Sequence, residues 1–207
     1  MSAVAAGTRE RLLRSAQALI EEGGYGAASV AAIAERAGVA NGALYRHWPS
    51  KGELFAELFR VVCDREITAM DQAARGAAAR PGATRVEAIQ AVLIIFAERA
   101  LRNPRLAWAL IAEPVDPLLD AERIAYRREY ARRLVEGLRQ AIAAGEIPEQ
   151  DVELTAAALV GGVGEALVGP LSPLAGTAPP AADIIEALRA FVARAVGSSA
   201  PSTDVRR

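Results

Sequence analysis

The stretch Ser29–Lys51, SVAAIAERAGVANGALYRHWPSK, decides the fold. Ser29 suits a helix N-cap, where its hydroxyl can accept a backbone N–H of the first turn. Val30, Ile33, Ala34 and Ala37 follow at helical spacing. Gly38 ends that helix, because a residue without Cβ takes the left-handed conformation at little cost. Asn41 opens another short helix through Leu44 and Trp48. Pro49 closes it, since the residue before proline avoids the α region. Two short helices joined by a glycine-containing turn form a helix-turn-helix. Ala34 is small where the helices approach, and Ile33, Val39 and Leu44 fill the wedge between them.

The second helix begins with Ala40, Asn41, Gly42 and Ala43. Short side chains there let its backbone come close to a partner surface. Asparagine can bond both N6–H and N7 of adenine in the major groove, so Asn41 is the base-reading candidate. Tyr45, Arg46 and His47 follow, and Lys51 stands just after the Ser50 cap of the next helix. A cation in a first turn opposes the helix dipole, a cost that makes sense beside a bound anion. Base readers flanked by phosphate ligands are the division of labour of a DNA reader. Arg46 has two readings, DNA contact and plain solvation. Trp48 reads as core, against Leu12, Leu19 and Phe55. No nucleophile or carboxylate stands in a recognisable relation to His47, which speaks against catalysis.

Two strings carry a family resemblance: GYGAASV at Gly24–Val30 and IAERAGVANGALYRHWPSKGELF at Ile33–Phe55. Together they resemble the DNA-binding domain of the TetR (tetracycline repressor-like) family of bacterial regulators. The resemblance implies an all-α chain of about nine helices. A three-helix helix-turn-helix domain would precede a larger helical ligand-binding and dimerisation domain. It implies that the helix at 40–46 is the recognition helix, that Tyr45, His47 and Lys51 contact phosphates, and that Ser29 supplies a hydroxyl at the start of the preceding helix. Ala40 and Ala43 stand where the family often has Ser and Thr, Ala31 where a basic residue is common, and Trp48 where Phe is usual. These departures remove polar contacts and leave Asn41 as the chief base reader.

Outward from this stretch, the pattern is helical throughout. Thr8 can cap a first helix bearing Leu12, Leu13, Ala16, Leu19 and Ile20, stopped at Gly23-Gly24. A long helix after Ser50 carries Leu54, Phe55, Leu58, Phe59 and Val62. Further helices are expected from about Thr84, at 106–111, 118–144, 149–168 (ended by Gly169-Pro170) and 181–196. The domains expected are 1–53 for DNA binding and 54–197 for ligand binding and dimerisation, with a disordered tail at 198–207.

The body is less explicit. Trp108, Ile111, Tyr126 and Tyr130 could line a ligand cavity, with Glu113, Arg99 or Glu165 as polar anchors. The other reading of Tyr126 and Tyr130 is the border of a solvated arginine-rich face. The segment ALVGGVGEALVG at Ala158–Gly169 spends glycines that each cost about 1 kcal/mol relative to alanine in a helix. Close approach of another helix explains that cost, and a flexible hinge is the competing reading. The expected dimer interface therefore uses Leu154, Ala158, Gly161, Gly162, Ile184, Leu188 and Phe191.

Composition narrows the function classes. A single cysteine, Cys63, and a single histidine, His47, rule out an intrachain disulfide and a multi-histidine metal site. No cofactor is expected. Residues 1–60 hold seven basic and six acidic side chains, so any DNA argument rests on placement rather than bulk charge. Lys51 is the one lysine. No basic-then-apolar leader and no run of about 18 apolar residues is seen, so a cytoplasmic chain with no membrane contact is expected. The functional expectation is a ligand-responsive regulator, more a repressor than an activator, binding a palindromic duplex operator as a homodimer and released by a small molecule. The rival is a small-molecule-binding helical protein whose helix-turn-helix no longer reads DNA. An enzyme is not expected.

Overall fold

A computed structural model describes residues 3–113, 117–174, 176 and 178–198. Among these residues every regular element is a helix. Eight are α-helical: α1 Ala3–Gly23, α2 Val30–Arg36, α3 Lys51–Ala78, α4 Arg85–Arg102, α5 Pro104–Ile111, α6 Pro117–Ala143, α7 Val152–Leu171 and α8 Ala181–Ala195. Two are 3-10 helices, Tyr25–Ala27 and Asn41–Arg46. The tail expected to be disordered lies outside the described residues, apart from Ser198.

The helices form two compact units. One comprises Met1–Arg65, Ala100–Ala125 and Leu171–Gly176; the other comprises Glu66–Arg99, Tyr126–Pro170 and Thr177–Arg207. This division differs from the expected segments 1–53 and 54–197, because α5 and the start of α6 group with the helix-turn-helix.

In the first unit, Leu12, Ala16 and Ile20 of α1, Ile33 and Ala34 of α2, Leu44, and Leu54, Phe55 and Leu58 of α3 make one buried core. Local chemistry sets the ends. The Ser29 hydroxyl accepts Ala32 N–H at 3.1 Å, and the Ser50 hydroxyl accepts Glu53 N–H at 3.1 Å. After α2, Gly38 takes φ +64°. Gly38 N–H then bonds Glu35 C=O and Val39 N–H bonds Ala34 C=O, both at 3.0 Å. That paired closure satisfies the last carbonyls of α2 and turns the chain sharply. In α5, Asn103 accepts Leu106 N–H at 3.4 Å, and Pro104 sits where its missing N–H costs nothing.

In the second unit, Met70, Leu134, Leu138, Leu159, Val163 and Val192 are the centre of a second core. Thr84 and Glu87 cap the start of α4 reciprocally, at 3.0 and 3.1 Å. Glu146 adds its carboxylate to the same helix start, accepting Arg85 and Val86 N–H at 2.7 and 3.1 Å. The Gln90 amide donates to Arg189 C=O at 2.9 Å, tying α4 to α8.

Several expectations need correction. Helix α1 begins at Ala3, so Thr8 lies inside it rather than capping it. Helix α5 begins at Pro104 rather than 106. Gly169-Pro170 does not end α7, which runs to Leu171. Proline's fixed φ is compatible with a last turn, where only one hydrogen bond is given up. The expectation of no long apolar run also fails. By length and composition alone α7 could cross a membrane, with mean hydropathy 1.5 over an 18-residue window of which 28% is buried. Glu153 and Glu165 interrupt that stretch in the sequence.

The dimer candidates divide. Ile184 and Leu188 are buried within the single chain. Leu154, Ala158 and Gly161 are exposed on α7, and Phe191 is exposed at its edge. The glycines divide as well. A Cβ on Gly162 would meet the Phe191 ring at 3.0 Å, so close packing of α8 explains it. Gly161, Gly164 and Gly169 have open space where a Cβ would go.

Candidate nucleic-acid interface

The recognition segment is built outward from a buried pin. Leu44 is fully buried, and its carbonyl accepts both His47 N–H at 2.9 Å and Trp48 N–H at 3.0 Å. Ala43 N–H bonds Ala40 C=O at 2.8 Å. Such i to i+3 bonds make Asn41–Arg46 a 3-10 helix rather than the expected α-helix. Ala40 has no side chain to cap the segment's start.

Trp48 fixes the other end. Its ring is buried, its Nε1–H donates to Glu57 Oε2 at 2.7 Å, and the Arg9 guanidinium lies 5.1 Å from the ring centroid. Arg9 also pairs with Glu57. The carboxylate thus serves two donors from two elements. Sequence reading placed Trp48 in the core but missed Arg9 and Glu57. The available signal was a tryptophan N–H needing an acceptor, with Glu57 two turns into the next helix.

The outer side carries the candidates. Tyr45 is 57% exposed, and Ala40, Asn41, Gly42 and Arg46 are exposed too. Among the described residues, the side chains of Asn41, Tyr45 and Arg46 have no hydrogen-bond or ion-pair partner. Ala43 and His47 are half-buried. Ser29 is exposed, but its hydroxyl is occupied by its capping bond. Arg36, next to the turn, is committed to Glu22, and that hydrogen-bonded pairing raises the Arg36 pKa and lowers that of Glu22.

Lys51 is set deeper than expected for a free phosphate ligand. Its ammonium lies 4.4 Å from the Tyr25 ring centroid and 5.2 Å from that of Phe55, and the two rings are 4.5 Å apart. Burial pushes its pKa below the ordinary lysine value of 10.5. A base whose folded pKa is depressed opposes folding while charged, and that opposition fades as pH rises towards the unfolded value. Unfolding titrations should therefore show the wild type gaining stability over Lys51→Met between the lowered pKa and about pH 10.5. A constant gap across that window would contradict the buried placement.

The expected ligand residues fall in both units. Tyr130 is buried, with Phe96 at 5.8 Å and Tyr126 at 6.1 Å between ring centroids. Trp108 and Ile111 are half-buried in the other unit. Glu165 is exposed. Arg99 is held by Glu66 at 2.6 and 2.8 Å. Glu113 accepts the Tyr25 backbone N–H at 3.3 Å. An open groove of about 330 Å³ in the second unit has an apolar floor of Ala77, Ile94 and Ile95 and a rim of Arg80, Glu87 and Arg189. None of the expected ligand residues lines it.

Residues 12–58, which span this head, match the family described as bacterial regulatory proteins, tetR family. The head of this chain is similar to the DNA-binding domain of that family. The HTH-type transcriptional repressor KstR of Rhodococcus jostii is 35% identical over 102 residues, covering 49% of this chain and 45% of that protein. The KstR of Mycobacterium tuberculosis is 34% identical over 102 residues, covering 49% of this chain and 44% of its own. The chain thus spans under half the length of these relatives. Whole-length likeness comes from solved structures. The fatty acid degradation regulator FadR from Bacillus halodurans superposes with a TM-score of 0.74 at 19% identity, over 89% of this chain and 94% of that one. FadR from Bacillus subtilis, solved with stearoyl-CoA, gives 0.70 at 20% identity, over 92% and 99%. At such identities the likeness shows a shared fold beyond the head and nothing more.

Proposed function

We propose that the chain is a transcriptional repressor that binds a near-palindromic duplex operator as a homodimer, in the cytoplasm, and releases it when a small molecule occupies the helical body. One observation carries this reading: exposed, unpartnered Asn41, Tyr45 and Arg46 stand on a segment pinned by buried Leu44 and Trp48. A rigid backbone with free side chains is what groove entry requires. Asn41 reads base edges; Tyr45, His47 and Lys51 hold phosphates. The exposed side of α7 and the Phe191 edge of α8 form the interface between subunits. That the comparable regulators include one solved with an acyl thioester supports an apolar effector. To shift occupancy a hundredfold, the effector must prefer the released state by about 2.8 kcal/mol.

The test is duplex binding by fluorescence anisotropy, using DNA from upstream of the chain's own gene at 50 to 300 mM salt. Saturable binding is expected, with log K falling against log salt at a slope of about −5 if about six phosphates are neutralised per dimer. Absence of saturable binding at the lowest salt would favour the rival, a ligand-binding helical protein that has lost its operator.

A further inference from the structure

Resting on the reading of Lys51 as a phosphate ligand, we infer that Glu113 is a positioning residue for it, acting through the backbone and ring of Tyr25. The short 3-10 helix Tyr25–Ala27 starts at Gly24, which offers no side chain to cap it. Its first N–H would go unsatisfied. The Glu113 carboxylate, 88 residues further along the chain, fills that place: Oε2 accepts Tyr25 N–H at 3.3 Å. Oε1 lies 3.8 Å from where a Gly24 Cβ would stand, so both oxygens sit against this one turn. Gly24 itself needs its φ of +79°, which fixes the direction in which Tyr25 leaves α1. The Tyr25 ring is then the surface over which the Lys51 ammonium rests at 4.4 Å.

Glu113 is held as firmly as what it holds. The Arg123 guanidinium donates to the carbonyls of Ala109 at 2.9 Å, Leu110 at 2.8 Å and Glu113 at 2.7 Å. That closes the C-terminal end of α5 and immobilises the backbone from which the carboxylate projects. At the other end of α5, the Asn103 amide donates to Glu21 of α1 at 2.9 Å. Helix α5 is therefore tied at both ends to the chain flanking Tyr25. A carboxylate expected to anchor a ligand is instead spent on the DNA-binding head.

The experiment uses the full chain with Glu113→Ala, Glu113→Gln and Lys51→Met. In NMR spectra, ring-current displacement of the Lys51 ε-methylene protons should be present in the wild type, retained in Glu113→Gln (which keeps an acceptor oxygen) and reduced in Glu113→Ala. Amide exchange at Tyr25 should accelerate at least about tenfold in Glu113→Ala, as for one lost hydrogen bond, while Ile33 in α2 keeps its rate. In duplex binding, Glu113→Ala should weaken affinity about fivefold to tenfold, Glu113→Gln less than twofold, and Glu113→Ala should add nothing in a Lys51→Met background. Unchanged Lys51 and Tyr25 signals in Glu113→Ala, or an undiminished affinity loss in the Lys51→Met background, would overturn the inference. The NMR arm needs no DNA, so failure of the wild type to bind duplex would count against the proposed function and leave the Glu113 assignment to be decided by the spectra.

Discussion

Trp48→Ala should unfold the DNA-binding head under conditions where the wild type is intact. Truncating a buried tryptophan typically costs about 3–5 kcal/mol, against a total stability of about 5–15 kcal/mol for a domain. Here the loss goes beyond the cavity. Trp48 Nε1–H is one of two donors on Glu57, and its ring is the surface beneath Arg9. Removing it strips the last anchor of the recognition segment, whose 3-10 bonds are too few to hold it alone. Urea unfolding followed by circular dichroism measures the effect. Trp48→Phe separates the contributions: it keeps most of the packing and loses only the N–H, so a cost of about 1 kcal/mol is expected. If Trp48→Ala costs no more than Trp48→Phe, the pinning described above is wrong.

Asn41→Ala should change which DNA is bound rather than how strongly all DNA is bound. A side chain making a bidentate contact to adenine is worth about 1–3 kcal/mol of discrimination, roughly fivefold to 150-fold. Asn41 is exposed and Ala40, Gly42 and Ala43 offer no polar side chain beside it, so no neighbour can compensate. Lys51→Met should behave oppositely, weakening every duplex alike and lowering the salt slope by about two, one phosphate being lost from each subunit of the dimer. Competition binding against a randomised operator library distinguishes the two patterns. Equal base preference in Asn41→Ala and the wild type would move base reading away from this segment.

Local signals were legible. Ser29 and Ser50 cap the helices they precede, Gly38 turns the chain, and Leu44 and Trp48 face inward, because each outcome depends on a few neighbouring residues. Distance in sequence hid the rest. Glu113 reaches Tyr25 across 88 positions, and Glu146 reaches Arg85 across 61; no periodicity announces which carboxylate will cap which helix. The apolar spacing of Ile184 and Leu188 marks them as buried without saying whether by their own chain or a second one. Gly161 and Gly162 look alike in sequence, yet only Gly162 has Phe191 in the space of its missing Cβ. The 3-10 form of Asn41–Arg46 also escaped, since turn geometry rather than side-chain pattern selects it.

Helix α7 carries one more implication. A segment with mean hydropathy 1.5 and only 28% of its window covered is costly to leave facing water. Dilution should therefore erode the native state itself, with the thermal midpoint climbing as protein concentration is raised from nanomolar to micromolar. On the proposed dimer, how much of it the cell makes becomes part of whether it holds together at all.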